Sequence, residues 1–391
     1  MPERFFDYRS KNRVLLTLFL LLLLAAFGLP FLSYAPNRLL SGQSISLLSL
    51  LHGRALWLLA PLAALALLSL LPPRRGYALL TVLAASALLT LSLWLSGDAA
   101  RQLAQSGSAL ARTSWSGGCW LMLALCLLMA ANAMERITAS PLWRICGNLL
   151  TLAPALWLLF SQQLDALSLL KEYHNRREVF DAALWQHLTI LLLTVLPTLA
   201  IGVPLGVLCF RSQRWQTPVF STLNIIQTVP SIALFGLLIA PLAGLAAAIP
   251  WLARHGVNGI GLAPAIVALV MYALLPLVRS VTAGLQSVPA SVIESARGMG
   301  MTRGQIFARV QLPLALPLLL TGVRILAVQT VGMAVVAALI DAGGFGAIVF
   351  QGLLSSALDL VLLGVIPVIV MAVVVDSLFK LIISILEATR R

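Results

Sequence analysis

Residues 289–313 read Pro289-Ala-Ser-Val-Ile-Glu294-Ser-Ala-Arg-Gly-Met-Gly300-Met-Thr302-Arg-Gly-Gln305-Ile-Phe-Ala-Arg-Val310-Gln-Leu312-Pro313, a polar island in a very apolar chain. The spacing predicts two short helices joined by a turn. Pro289 suits a first helical turn, where its missing N–H would have no partner anyway, and Glu294 follows Ser291 at the capping-box spacing. Gly300 can take the left-handed conformation that ends a helix. Thr302 and Gln305 form a second S/T-x-x-E/Q box, in which each side chain satisfies an orphan N–H of a new helix start.

Outward from this island, 60% of the residues are hydrophobic and only 10% charged, with a mean hydropathy of +0.99. That excludes a soluble globule and predicts a polytopic membrane protein. The net charge of +13 does not point to nucleic acid, because the basic residues form no stripe with interleaved aromatics. Cys119, Cys126, Cys146 and Cys209 lie in or beside apolar runs with no C-x2-C pair. They predict neither a disulfide framework nor a zinc site, and read as packing residues. His52, His174, His187 and His255 lie apart from one another near span ends, so no metal site is expected.

The apolar runs predict ten spans, at about 14–33, 55–71, 77–95, 118–134, 147–164, 188–210, 219–249, 260–278, 314–338 and 361–383. The first follows a basic head (Arg4, Arg9, Lys11, Arg13), and its length argues for an uncleaved span rather than a signal peptide. The run at 219–249 contains Pro230, Pro241 and Gly244 and is expected to be broken or re-entrant, which is tolerated where backbone faces protein or a wet cavity. With the N-terminus in the cytoplasm, 17 basic residues fall inside and 8 outside, as the positive-inside rule requires. Both termini and residues 289–313 then lie in the cytoplasm.

The run Glu294-Ser295-Ala296, three residues, Gly300, nine residues, Val310-Gln311-Leu312-Pro313 resembles the signature cytoplasmic loop of ABC-importer permeases, E-A-A-x3-G-x9-I-x-L-P. Ser295 and Val310 are mild departures. Gln227-Thr-Val-Pro230-Ser231, Tyr272-Ala-Leu-Leu-Pro276, Ala296-Arg-Gly-Met-Gly-Met-Thr302 and Ala342-Gly-Gly-Phe-Gly346 are similar to the branch that imports glycine betaine and related osmoprotectants. The resemblance covers roughly 187–385. It implies an all-α polytopic membrane protein, with a type I ABC-importer permease core of five helices at 188–385. About five extra transmembrane helices (1–164) and a periplasmic connector (165–187) precede the core. It further implies a bacterial inner-membrane permease subunit working with an ATP-binding subunit, a second permease copy or sister permease, and a periplasmic substrate-binding protein. In the family the loop inserts into a groove of the ATPase, which casts Glu294, Ala296, Gly300, Thr302, Gln305, Leu312 and Pro313 as docking residues.

Other polar residues stand out at membrane depth, where they face a bundle interior or a wet pathway. Gln227, Thr228, Pro230, Ser231 and Tyr272 are candidates to line the pathway, the alternative being hydrogen bonding between helices. Asp341 stands where the family more often has a small residue; it adds a negative charge at the outer mouth or is a solvated loop residue. Arg324 and Asp376 lie at similar depth in the last two spans, which permits an ion pair.

No G-x4-G-K-[S/T] loop occurs, so no nucleotide site is expected on this chain; ATP and Mg²⁺ belong to the partner ATPase. No Ser/His/Asp or Cys/His constellation suggests catalysis. The competing readings are an importer of another small solute, such as an amino acid or a sulfonate, and a stand-alone secondary transporter. The latter usually shows internal repeats and intramembrane carboxylates; here no repeat is found and Asp376 stands alone.

Overall fold

The computed structural model describes residues 12–37, 42–106 and 111–388. Of the basic residues used for orientation, Arg4, Arg9, Lys11, Arg38, Arg390 and Arg391 lie outside the described residues. The chain divides into two compact units, Met1–Asn175 and Arg176–Arg391. The division falls inside 165–187, a stretch that is mostly helical: it holds one short helix and the first turns of the next.

The first unit starts with α1 (Arg13–Gly28), whose first turn is capped by Asn12, its side chain accepting the Leu15 N–H at 3.2 Å. Gly28 and Pro30 end this helix early, so the span expected at 14–33 is shorter than the apolar run. At 16 residues it is about 24 Å long at 1.5 Å per residue, less than the hydrocarbon thickness of about 30 Å. The chain continues through β1 (Leu32–Ala35), β2 (Gln43–Ile45), α2 (Leu47–Leu50), a 3₁₀ segment (Gly53–Leu58) and α3 (Leu59–Leu70). Then follow α4 (Arg75–Ser106), β3 (Arg112–Trp115), α5 (Gly117–Ile137), α6 (Pro141–Phe160) and α7 (Ser168–Asn175).

The strands are an addition that the hydropathy pattern does not show. They pair antiparallel in the order β2-β1-β3, with Leu32 opposite both Ile45 and Trp115. They occupy the links between α1 and α3 and between α4 and α5, so the sheet closes one end of the bundle over fully buried Phe31 and Leu32. The Trp115 indole N–H donates to Ser96 Oγ at 2.8 Å. Arg112 meets Glu172 at 2.6 Å and Ser168 Oγ at 3.3 Å, fastening α7 to β3. Leu22, Leu65, Leu88, Met122 and Met129 fill the core between α1, α3, α4 and α5. Cys119 and Cys126 pack in that core and Cys209 is buried in the second unit, as expected, whereas Cys146 is exposed.

The second unit contains α8 (Arg177–Arg211), α9 (Gln213–Thr228), α10 (Ser231–Ala248), α11 (Pro250–Arg254), α12 (Leu262–Gln286), α13 (Ala290–Gly298) and α14 (Arg303–Ile306). A π-turn (Phe307–Gln311) leads into α15 (Leu312–Val336), followed by a 3₁₀ turn (Ala337–Ile340), α16 (Phe345–Leu354) and α17 (Leu358–Ala388). Helix α12 is central, packed most extensively against α8 and α15 and also against α9 and α10. Gly202 and Gly206 of α8 permit that approach: a Cβ on either would run into Leu277 or Val281.

Among the described residues, nine helical segments are long and apolar enough to cross a membrane. Together with the shorter α1 they fall at the ten expected positions. The segment at 219–249 divides at Val229-Pro230: α9 begins earlier, at Gln213, and α10 provides the crossing. Pro230 cannot donate the helical N–H, and it holds the residue before it in an extended conformation.

Candidate functional site

Helix α13 ends in a Schellman motif: the Gly300 N–H reaches Arg297 O at 3.0 Å and the Met301 N–H reaches Ala296 O at 3.2 Å. Gly300 supplies the left-handed residue that this motif requires, at φ +81°. Thr302 then caps α14 through a complete box. The Gln305 N–H donates to Thr302 Oγ1 at 3.4 Å, and the Thr302 N–H donates to Gln305 Oε1 at 2.8 Å. Ala296 and Ile306 are buried inside this elbow, while Glu294, Arg297, Met299 and Arg303 face outward.

Two expectations for the elbow are corrected. Pro289 is the residue before the helix, extended at ψ 137°, so Ser291 lies within the first turn and forms no box with Glu294. Its carbonyl instead accepts the Ser295 hydroxyl at 2.8 Å. Nor is the second helix short: it runs through Leu312-Pro313 into the next span, Arg303–Ile340 being one helical segment. Pro313 lacks the N–H that would bond four residues back. The chain widens before it into a π-turn, with the Leu312 N–H reaching Phe307 O. Arg211, at the end of α8, lies over the Phe307 ring at 4.8 Å and braces this turn.

The candidates at 227–231 and Tyr272 meet at the break between α9 and α10. Pro276 leaves Tyr272 O without its helical donor, and Gln227 Nε2 donates to that carbonyl at 2.9 Å. In return the buried Tyr272 hydroxyl donates to Val229 O, a carbonyl left out of the helix by the break. Gln227 and Tyr272 thus hydrogen-bond between helices. Thr228 bonds within its own helix, to Ile225 O at 2.7 Å. Thr228 and Pro230 are exposed and Ser231 is half-buried.

Asp341 closes the 3₁₀ turn after α15 at φ 64°, a left-handed position that aspartate tolerates better than most residues, and it is exposed. The Gly261 N–H donates to Ile340 O at 2.7 Å, tying the start of α12 to this turn. The following Gly343 and Gly344, at φ +76° and +70°, lie against Gln186 and His187 of α8. The Gly344 N–H donates to Gln186 Oε1 at 3.0 Å. A Cβ on Gly343 would overlap the Gln186 amide. Gly343→Ala is therefore expected to lower stability by about 1–2 kcal/mol, seen as a lower thermal unfolding midpoint in detergent. Adding Gln186→Ala should relieve the overlap but not the strain of a positive φ.

Arg324 of α15 and Asp376 of α17 meet at 2.9 Å, and Lys380 holds the other carboxylate oxygen at 2.7 Å. Lys380 was missed in the sequence, although its spacing four residues beyond Asp376 on one helix is a sufficient signal. His187 is fully buried with Nε2 at 3.1 Å from Val331 O, a packing position in α8. Among the described residues no group of three or more His, Cys, Asp or Glu is placed to hold a metal ion.

Residues 199–387 match the family described as the binding-protein-dependent transport system inner membrane component. Residues 10–170 match the one described as the N-terminal domain of ABC transporter permease YehY. The carnitine transport permease protein OpuCB of Listeria monocytogenes is 40% identical over 192 residues, covering 49% of this chain and 81% of that protein. The osmoprotectant import permease protein OsmW of Salmonella typhimurium is 39% identical over 194 residues, 50% of this chain and 85% of the relative. For the choline transport system permease protein OpuBB of Bacillus subtilis the figures are 35% over 192 residues, 49% and 81%. With a capped elbow at the signature positions and this degree of likeness, the chain belongs to the permease subunits of binding-protein-dependent ABC importers, in their osmoprotectant branch.

Proposed function

We propose that this permease carries glycine betaine or a related quaternary-ammonium osmoprotectant across the bacterial inner membrane, with both termini and the 289–313 elbow in the cytoplasm. A separate ATPase, holding ATP and Mg²⁺, docks on the outward face of that elbow, where Glu294, Arg297, Met299 and Arg303 stand free of the bundle. A second copy or a sister permease completes the pathway, and a periplasmic binding protein delivers the solute. The observation that carries this reading is the elbow itself. Two capped turns and a buried Ala296–Ile306 interior make it a stiff lever. It continues without a break into α15, one of the helices packed against central α12. A push on the elbow therefore moves the helices of the core.

The test is uptake of labelled glycine betaine, carnitine and choline in cells lacking their own importers, with the chain expressed beside its ATPase and binding protein. Uptake of at least one of the three is expected. Transport of an amino acid or a sulfonate in their place would overturn the solute class. Purified alone in nanodiscs the chain is expected to show no ATP turnover above background, and clear turnover would defeat the division of labour. Reporter fusions after residues 75, 144, 213 and 300 should read cytoplasmic, and those after 45, 178, 255 and 350 periplasmic. A reversed readout at 300 would separate the elbow from any ATPase.

A further inference from the structure

The first unit contains a cavity of about 360 Å³ between α4 and the segment that leads from α2 into the 3₁₀ turn. Its volume is that of a small-molecule site, and it lies wholly within 50–102, outside the permease core. His52 and Arg54 come from the connecting segment; Trp94, Asp98 and Gln102 come from α4, spaced so that they fall on one helical face.

The chemistry of these walls is specific. Asp98 Oδ2 accepts from Gln102 Nε2 at 2.8 Å, and its other oxygen faces Arg101 only loosely, at 3.8 Å. Its negative charge is thus fixed in place without a tight ion pair, and one lone-pair direction is already used. A quaternary ammonium needs no hydrogen bond: it is held by the diffuse charge of Asp98 and by the aromatic Trp94, which lines the same wall. Arg54 is exposed and, among the described residues, has no ion-pair partner. Its planar guanidinium suits a carboxylate in bidentate fashion, and His52 lines the wall beside it. A simple cation would leave Arg54 unpartnered, and a simple anion would face Asp98. A zwitterion matches both.

We propose that this cavity is a second solute site, one that binds a small zwitterion with a quaternary ammonium at Trp94 and Asp98 and a carboxylate at Arg54. It gives the N-terminal unit a recognition role separate from the pathway. The ligand class is that of the transported solute read above and rests on that reading.

The test is calorimetric titration of glycine betaine into the full chain in lipid nanodiscs, without the binding protein. Saturable binding is expected. Trp94→Leu and Arg54→Gln should each weaken it at least tenfold, whereas Trp94→Phe, which keeps an aromatic face, should stay within about threefold. Choline, which lacks the carboxylate, should bind more weakly than glycine betaine to the wild type and be indifferent to Arg54→Gln. Each variant's unfolding midpoint is measured alongside, and Arg54→Gln, at an exposed position, tests the site without disturbing the core. Absence of binding to the folded wild type overturns the proposal, and so does unchanged affinity in both Trp94→Leu and Arg54→Gln. Uptake measured separately keeps the two readings apart. Betaine uptake without cavity-dependent binding sinks this inference alone, and cavity-dependent binding without uptake sinks the transport reading alone.

Discussion

Gly300→Val is expected to reduce solute uptake at least tenfold while the protein remains inserted and normally abundant. A Cβ at Gly300 would meet no atom within 4 Å, so crowding plays no part. The penalty is in the backbone: φ is +81°, where a side chain costs about 1 kcal/mol and a β-branched one more. That is too little to unfold the chain but enough to favour another turn. A different turn re-aims the Thr302-capped start of the helix that continues through α15. Glu294→Ala reaches the same end by another route. The carboxylate is exposed on α13 and has no ion-pair partner among the described residues, so its removal costs little fold stability and takes a charge from the proposed docking face. In both variants the ATPase should co-purify poorly or hydrolyse ATP without driving uptake. Wild-type transport with the ATPase still bound, in both, would show that the elbow is not the coupling element.

Asp376→Ala is expected to destabilise the second unit by about 3 kcal/mol. The substitution leaves Arg324 and Lys380, which now share one carboxylate at 2.9 and 2.7 Å, as two cations with no counter-charge inside a span. Asp376→Asn keeps an acceptor but not the charge, and should lie between wild type and alanine. Replacing both members of the pair, Arg324→Met with Asp376→Leu, should cost less than Asp376→Ala alone, because no arginine is then stranded. Lys380, one turn farther along α17 and more exposed, can turn its ammonium toward the interface. The unfolding midpoint and the yield of folded protein in detergent report all three. If Asp376→Ala melts with the wild type, the trio does not hold α15 to α17.

Several features were legible because their causes are local. The second capping box needs only Thr302 and Gln305 three positions apart, and the left-handed turn needs only glycine at 300. The first box failed for an equally local reason: Pro289, extended at ψ 137°, starts the helix one residue before Ser291, and spacing alone does not fix where a helix begins. The depth of Arg324 and Asp376 permitted a pair, since a charge inside a span seeks a counter-charge, but that they meet is decided by the packing of α15 on α17. The sheet was not, because strands of three and four residues in polar links carry too little periodicity to stand out beside apolar helices.

The sequence by itself determined that this is a polytopic membrane protein resembling ABC-importer permeases, because composition and a long fixed-spacing motif are properties of the chain as written. The tertiary structure alone decided where the remaining polar groups go. Gln227 completes a carbonyl 45 residues away that Pro276 had left unpaired, and Gln186 holds a glycine turn 158 residues away. The cavity walls at 52–54 and 94–102 come from separate segments. Water can satisfy such groups in an unfolded chain, but inside a packed bundle each needs a partner at hydrogen-bond distance. Which partner it finds depends on helix crossings, and these are set by side-chain packing between segments far apart in sequence.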